Sequence, residues 1–293
     1  MRFGIAGNLD KTELPEVVER LITRFEKEKV PYVLHAEMAK GLHGKIDKRL
    51  LSQSAVVSEH KLPKACDILI SLGGDGTILR MARLVSGMDT PILGINLGKL
   101  GFLAEVSLDE LDECLTEIIS GKYIVEDRMM LQARIGKSKV NVHALNDIVL
   151  HQTGSSRTFS VKTFVNGEFL SKFIGDGIII ATPTGSTAYA LSNGGPIVTP
   201  TNQLILISPI CPHTLTARTV VVPGESIITL KVETAIGKIH FAADGQQQSF
   251  LQVPVDIFIE RSPLATKLVK RKNRSYYDVL RRKLNWGKDA RNS

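Results

Sequence analysis

Cysteine is scarce in this chain. Cys66, Cys114 and Cys211 stand far apart and form no CxxC pair, which excludes a cysteine-built zinc site and a disulfide framework. They read as reduced thiols in or near a core. Seven histidines make no HxxxH or HExxH pattern, so transition-metal hydrolysis has no support. No apolar run approaches the roughly 20 residues of a spanning helix, and no membrane partner is expected. Met1-Arg2-Phe3-Gly4-Ile5 holds neither an apolar signal core nor a cleavage site, which predicts a cytoplasmic chain. GxxxxGK[ST] does not occur, so the chain is not a P-loop enzyme.

What is present suits a globular protein of two domains: 293 residues, 43% hydrophobic and 23% charged, against roughly 100–200 residues per domain. The net charge of +7 hints at nucleic acid, but its distribution argues otherwise. Residues 266–293 carry ten Lys/Arg against two Asp, a balance of +8, while the remainder holds 27 basic and 28 acidic side chains. A basic tail on a balanced body reads as a solvated helix or assembly arm, or as an aid to binding phosphorylated ligands or RNA. The first is preferred, so no nucleic-acid partner is expected.

Short apolar runs at 3–6, 30–34, 67–72 and 91–96 alternate with helical spacings. One helix starts near Pro15 with Val18, Leu21, Ile22 and Phe25 on one face; another carries Ile78, Leu79 and Ala82. Strands alternating with helices predict an α/β domain with a parallel, Rossmann-like sheet over residues 1–125. Beyond, short strands dominate: 131–135, 140–151, 159–173 with a hairpin signal at Asn166-Gly167, 178–181, 204–208, 219–222, 227–232, 238–242 and 253–259. Residues 126–265 therefore read as an all-β, sandwich-like domain. A basic helical tail follows over 266–293. Its capping-box start at Ser275-Tyr276-Tyr277-Asp278 and its face of Tyr276, Val279, Leu280 and Lys283-Leu284 predict a helix that docks back on the body.

Three segments carry chemistry. Gly73-Gly74-Asp75-Gly76-Thr77 sits between an apolar strand and a helix, where glycines and a helix N-terminus form a phosphate cradle. A carboxylate in such a cradle repels the anion unless it has another task. Asp75 suits a proton acceptor, a Mg²⁺ ligand or a helix cap. The second segment, Leu93-Gly94-Ile95-Asn96-Leu97-Gly98-Lys99-Leu100-Gly101-Phe102, is glycine-rich and comes after a strand, and open parallel sheets bind ligands at such strand ends. The third is Gly175-Asp176-Gly177, then Ile178 to Ala181, then Thr182-Pro183-Thr184-Gly185-Ser186-Thr187-Ala188-Tyr189-Ala190-Leu191-Ser192-Asn193-Gly194-Gly195-Pro196. Thr184, Ser186, Thr187 and Ser192 offer hydroxyls for ribose and base edges, and Tyr189 offers a flat face for a ring.

GGDGT, Asn146-Asp147 and above all GDGIIIATPTGSTAYALSNGGP, in this order and spacing, resemble the NAD kinase family over essentially the whole chain. GGDG alone is shared with diacylglycerol, sphingosine and phosphofructokinase relatives. TPTGSTAY is the family-specific part. The resemblance implies phosphorylation of the 2′-hydroxyl of the adenosine ribose of NAD, with ATP as donor, Mg²⁺ as the divalent ion, and a homodimer or homotetramer. It implies that Asp75 accepts the hydroxyl proton with Gly76 beside it, and that Gly73, Gly74, Gly76 and Thr77 form the phosphate loop. Asn146 and Asp147 would bind the dinucleotide, where many relatives have Asn-Glu. Asp176 would meet the nicotinamide part across a subunit boundary. Thr187, Ala188, Tyr189, Ala190, Leu191 and Ser192 would line the adenosine pocket, and Arg157 and Gln246 would be outer contacts. An Arg found in relatives two residues before Asp176 is Ile174 here. A lipid kinase would need an apolar acyl pocket, which the polar 182–195 loop argues against. A non-catalytic dinucleotide sensor would not need Asp75.

Overall fold

The computed structural model describes residues 1–138, 141–153, 159–233 and 237–287. The chain divides into two compact units, Met1–Asp127 with Thr266–Ser293, and Arg128–Ala265.

The first unit opens with β1 (Phe3–Gly7), α1 (Leu14–Glu28), β2 (Tyr32–His35), α2 (Ala36–Gly41), α3 (Lys48–Gln53) and β3 (Ala55–Val57). β4 (Ile68–Gly73), α4 (Asp75–Leu84), β5 (Ile92–Asn96) and α5 (Leu111–Ile119) follow. The strands form a parallel sheet in the order β3-β2-β1-β4-β5. β1, β4 and β5 are buried along their whole length, which is why they read as continuous apolar runs. α1 carries Pro15 in its first turn and buries Leu14, Val17, Val18, Leu21, Ile22 and Phe25, the stripe its spacing predicts. In register, Gly73 at the end of β4 lies beside Asn96 at the end of β5, so the two glycine-rich segments leave neighbouring strand ends.

The second unit takes over from Arg128, within β6 (Tyr123–Ile135), and holds β7 (Asn141–Ala144), β8 (Asp147–Gln152), β9 (Phe159–Val165), β10 (Glu168–Gly175), β11 (Gly177–Ala181) and the short α6 (Tyr189–Ser192). It continues with β12 (Leu204–Ile210), β13 (Val220–Pro223), β14 (Ile228–Val232), β15 (Lys238–Ala243), β16 (Gln247–Gln252) and β17 (Val255–Arg271). One antiparallel layer runs β10-β9-β14-β17 and the other β13-β12-β11-β8-β15-β16. Phe159, Val161, Ile178, Ile180, Ile205, Ile207 and Phe241 are among the residues of the core of this sandwich-like unit. Asn166 and Gly167 turn the β9–β10 hairpin at φ 53° and 84°.

The single strand expected over 140–151 is two, because the amides of residues 145–147 turn to the carboxylate of Asp244. β16 was not expected: it is a mostly exposed edge strand of sequence QQSFLQ, with no apolar alternation to reveal it.

The tail is not helical throughout. Residues 266–271 end β17, where Leu268 pairs with Ile92 of β5 in parallel, and Lys270 and Arg271 are buried beside Leu268 and Val269. Their charges hid the strand. The helix itself, α7 (Tyr276–Leu284), has the expected Ser275/Asp278 capping box and buries Val279 and Leu280. Part of the basic excess is matched inside the first unit: Lys267 pairs with Asp89, Lys270 with Glu105, Arg271 with Glu113 and Glu117, and Arg274 and Arg282 with Glu110. Among the described residues no helix is long and apolar enough to cross a membrane.

Candidate functional site

Two places gather the expected residues. The first is the glycine turn between β4 and α4. A side chain at Gly73 would put its Cβ 2.2 Å from the Thr77 hydroxyl oxygen, so only glycine fits there. Gly74 is the N-cap of α4, with no side chain capping the helix, and a Cβ there would meet open space. The turn thus presents bare backbone at the positive end of a ten-residue helix. Asp75 is therefore not a cap of α4. Its carboxylate reaches the second glycine-rich segment: Oδ2 accepts from the Phe102 amide at 2.9 Å, and Oδ1 from those of Leu103 and Ala104, each at 3.0 Å.

Two cations at these strand ends escaped sequence reasoning. A Cβ at Gly98 would lie 3.5 Å from the Lys11 ammonium nitrogen, and the Arg80 guanidinium donates to the Gly7 carbonyl at 3.4 Å. Lys11 makes no ion pair among the described residues. No motif marks it. Only the closeness of the β1 and β5 ends does.

The second place is a cavity of about 730 Å³ in the β unit, lined by Asn146, Asp147, Asp176, Ala188 and Tyr189 among others. Asp176 sits between Gly175 and Gly177, where Cβ atoms would come within 2.6 Å of the Ile210 carbonyl and 2.3 Å of the Leu150 carbonyl. The Gln152 amide donates to Asp176 Oδ1 at 3.0 Å. Gly185 lets the TPTG turn close on Asn146, since a Cβ would lie 2.0 Å from its carbonyl oxygen. Asn146 Oδ1 is buried without a hydrogen-bond partner among the described residues, an acceptor waiting for a donor. Tyr189 is 46% exposed, so its ring is open to a ligand.

Other residues of the loop serve the fold. Ser186 is fully buried; its hydroxyl donates to the Pro183 carbonyl at 2.7 Å and accepts from the Val198 amide at 3.0 Å. Thr187 donates to the Thr184 carbonyl. Ala190 packs in a small apolar cluster with Val149 and Ile179. Thr187, Ala190, Leu191, Ser192 and Gln246 are not among the cavity-lining residues. Arg157 lies outside the described residues. The cavity also takes in His151, Gln152, His240, Gln248 and Cys211, which sequence reasoning missed. His151 and His240 face each other across β8 and β15 with ring centroids 4.5 Å apart, a pairing visible only in the register. Cys211 is exposed at φ 43°, not in a core as expected. Cys66 and Cys114 are pushed up by burial to about 11 and about 12.

Asp147 is the unusual charge. It is 5% exposed. Burial, and then the Asp244 carboxylate, raise its pKa to about 7, against the Tyr189 amide that donates to it. An unfolded aspartate titrates near 4. Between about pH 4 and 7 the folded chain holds a proton that the unfolded chain releases, so this group costs stability increasingly as pH rises through that window. Asp147→Asn, neutral at every pH, is expected to melt higher than the parent at pH 8, with a much smaller gain at pH 5. An equal gain at both pH values would contradict the burial argument.

The family model described as ATP-NAD kinase N-terminal domain matches residues 3–123, and the ATP-NAD kinase C-terminal domain matches residues 145–271. The NAD kinase of Caldanaerobacter subterraneus subsp. tengcongensis is 40% identical over 290 residues, 97% of this chain and 98% of that one. That of Geobacter metallireducens is 40% identical over 289 residues, 98% and 99% of the two chains. Yeast NADH kinase, solved in complex with NADH, superposes with a TM-score of 0.89 at 26% identity, covering 100% of this chain and 89% of its own. An NAD kinase from Archaeoglobus fulgidus, solved in complex with ATP, gives 0.77 at 26% identity, covering 98% and 100%. The chain belongs to the NAD kinase family.

Proposed function

We propose that this enzyme transfers the γ-phosphoryl group of ATP to the 2′-hydroxyl of the adenosine ribose of NAD, giving NADP. The observation that carries this reading is the Asp75 carboxylate, fixed by three backbone amides in a glycine turn at the carboxyl ends of β4 and β5, in a chain of this family. A sugar hydroxyl is a weak nucleophile at neutral pH, and phosphoryl transfer depends on positioning and charge neutralisation. Asp75 orients the hydroxyl and takes its proton as the new bond forms. Gly73, Gly74, Gly76 and Thr77 bring backbone close to the phosphates, and Lys11 supplies a side-chain cation where a P-loop lysine is lacking.

A divalent ion suits this arrangement as part of the donor. Among the described residues no group of three or more His, Cys, Asp or Glu could hold a metal, and Mg²⁺ is commonly bound through substrate phosphates and one or two carboxylates. Bound to the triphosphate, it neutralises charge on the transferring group.

The cavity of the β unit takes the dinucleotide. Asn146 and Asp147 offer acceptors to ribose hydroxyls, Asp176 with Gln152 meets the nicotinamide part, and Ala188 and Tyr189 hold the adenosine. Ring stacking contributes on the order of 1 kcal/mol, so Tyr189→Ala is expected to raise the KM for NAD roughly tenfold while that for ATP moves little. Equal rises for both substrates would assign the loop a structural role. The activity is tested by mixing protein, Mg-ATP and NAD with an NADP-specific dehydrogenase and its substrate. Reduction of the nicotinamide, visible as absorbance growth, is expected only when all components are present.

A further inference from the structure

We infer that Gly101 is a positioning residue for the transfer, because its missing side chain makes the room in which the Asp75 carboxylate stands. The inference rests on the reading of Asp75 as the proton acceptor. A Cβ built on Gly101 would lie 2.0 Å from Asp75 Oδ1, 2.6 Å from its carboxyl carbon and 2.9 Å from Oδ2. The glycine is followed at once by the three residues whose amides hold that carboxylate. Any side chain at 101 would therefore displace the carboxylate from the amides of 102–104.

The amides also distinguish the two oxygens. A carboxylate has about four lone-pair sites, two on each oxygen. Oδ1 accepts from Leu103 and from Ala104, so both of its sites are taken. Oδ2 accepts only from Phe102 among these donors, which leaves one site. That remaining site on Oδ2 is where the 2′-hydroxyl docks. In the step, the ribose oxygen forms a bond to the γ-phosphorus as the bond from that phosphorus to the β–γ bridging oxygen breaks. ADP leaves with that electron pair, and the hydroxyl proton passes to Oδ2 and then to solvent. The glycine-rich segment after β5 is thus a clamp on the proton acceptor.

The test is a double-mutant cycle on the full chain, with single-turnover rates read using radiolabelled ATP. Gly101→Ala is expected to lower kcat on the order of 10²-fold, the scale of an ångström-sized misplacement, while the KM for ATP stays within about twofold of the parent. In an Asp75→Ala background the space is vacated, and adding Gly101→Ala is expected to change the residual rate less than about twofold. The same background guards against a folding defect: the melting temperature is expected to fall on Gly101→Ala in the parent and not in Asp75→Ala. An unchanged kcat for Gly101→Ala, or the same fold loss in both backgrounds, would overturn the positioning role. Near-parent activity of Asp75→Ala alone would instead overturn the proton-acceptor reading, so the two failures are distinct.

Discussion

Asp75→Asn is expected to lower the rate of NADP formation by roughly 10²–10⁴-fold, the usual contribution of a positioned general base, with NAD binding largely kept. The substitution preserves size but removes the site that takes the proton. It has a second, smaller consequence. The Asn oxygen can keep the Leu103 and Ala104 amides, but its NH₂ then faces the Phe102 amide, donor against donor. One lost hydrogen bond costs on the order of 1 kcal/mol, so the melting temperature should fall modestly. Kinetics and calorimetric binding of NAD check both effects. A variant that turns over nearly as fast as the parent would leave Asp75 only its structural bonds to residues 102–104.

Arg271→Ala is expected to have the largest effect on stability. The guanidinium is 4% exposed and grips Glu117 through two bonds, of 2.5 Å and 3.0 Å, with Glu113 at 2.8 Å. Removing one partner of a buried pair costs about 3–5 kcal/mol. Glu117 keeps 20% of its side-chain exposure, which places the expected loss near the lower end, about 3 kcal/mol. The hydrogen bonds from Arg271 hold the Glu117 carboxyl below the usual carboxylate range. A depressed folded pKa contributes stability above the unfolded value, near 4.3, and that stability is lost as pH falls through the folded value. The gap between parent and variant in chemical denaturation should therefore be full at pH 7 and shrink below pH 4. A gap that is small at pH 7, or that does not change with acid, would contradict the ion-pair account.

The parallel sheet was legible because β1, β4 and β5 are buried on both faces and so are apolar throughout. The α1 stripe and the Ser275 capping box were legible because local spacing alone determines them. Residue type was a poorer guide to use. Ser186 and Tyr189 lie in one polar loop, yet the first bonds only to backbone while the second faces the cavity. A hydroxyl looks the same in sequence whichever it meets. Features made by register stayed hidden: Asp244 holding the amides of 145–147, His240 against His151, and Lys11 beside Gly98 each join residues nearly ninety or more positions apart. Thr266 to Arg271 hid as a strand because three of the last five residues of that stretch are Lys or Arg, and the carboxylates that let Lys270 and Arg271 be buried come from elsewhere in the chain. GGDGT was recognisable as a phosphate turn, but the three amides on Asp75, and with them the need for glycine at 101, appear only once the β5 segment is placed.

The most direct measurement follows the phosphoryl group itself. With [γ-³²P]ATP, Mg²⁺ and NAD, label is expected in the dinucleotide, and none when the acceptor is the analogue lacking the adenosine 2′-hydroxyl. Label that never enters NAD, or that enters the 2′-deoxy analogue equally well, would contradict the assignment of this chain as a kinase acting on that hydroxyl.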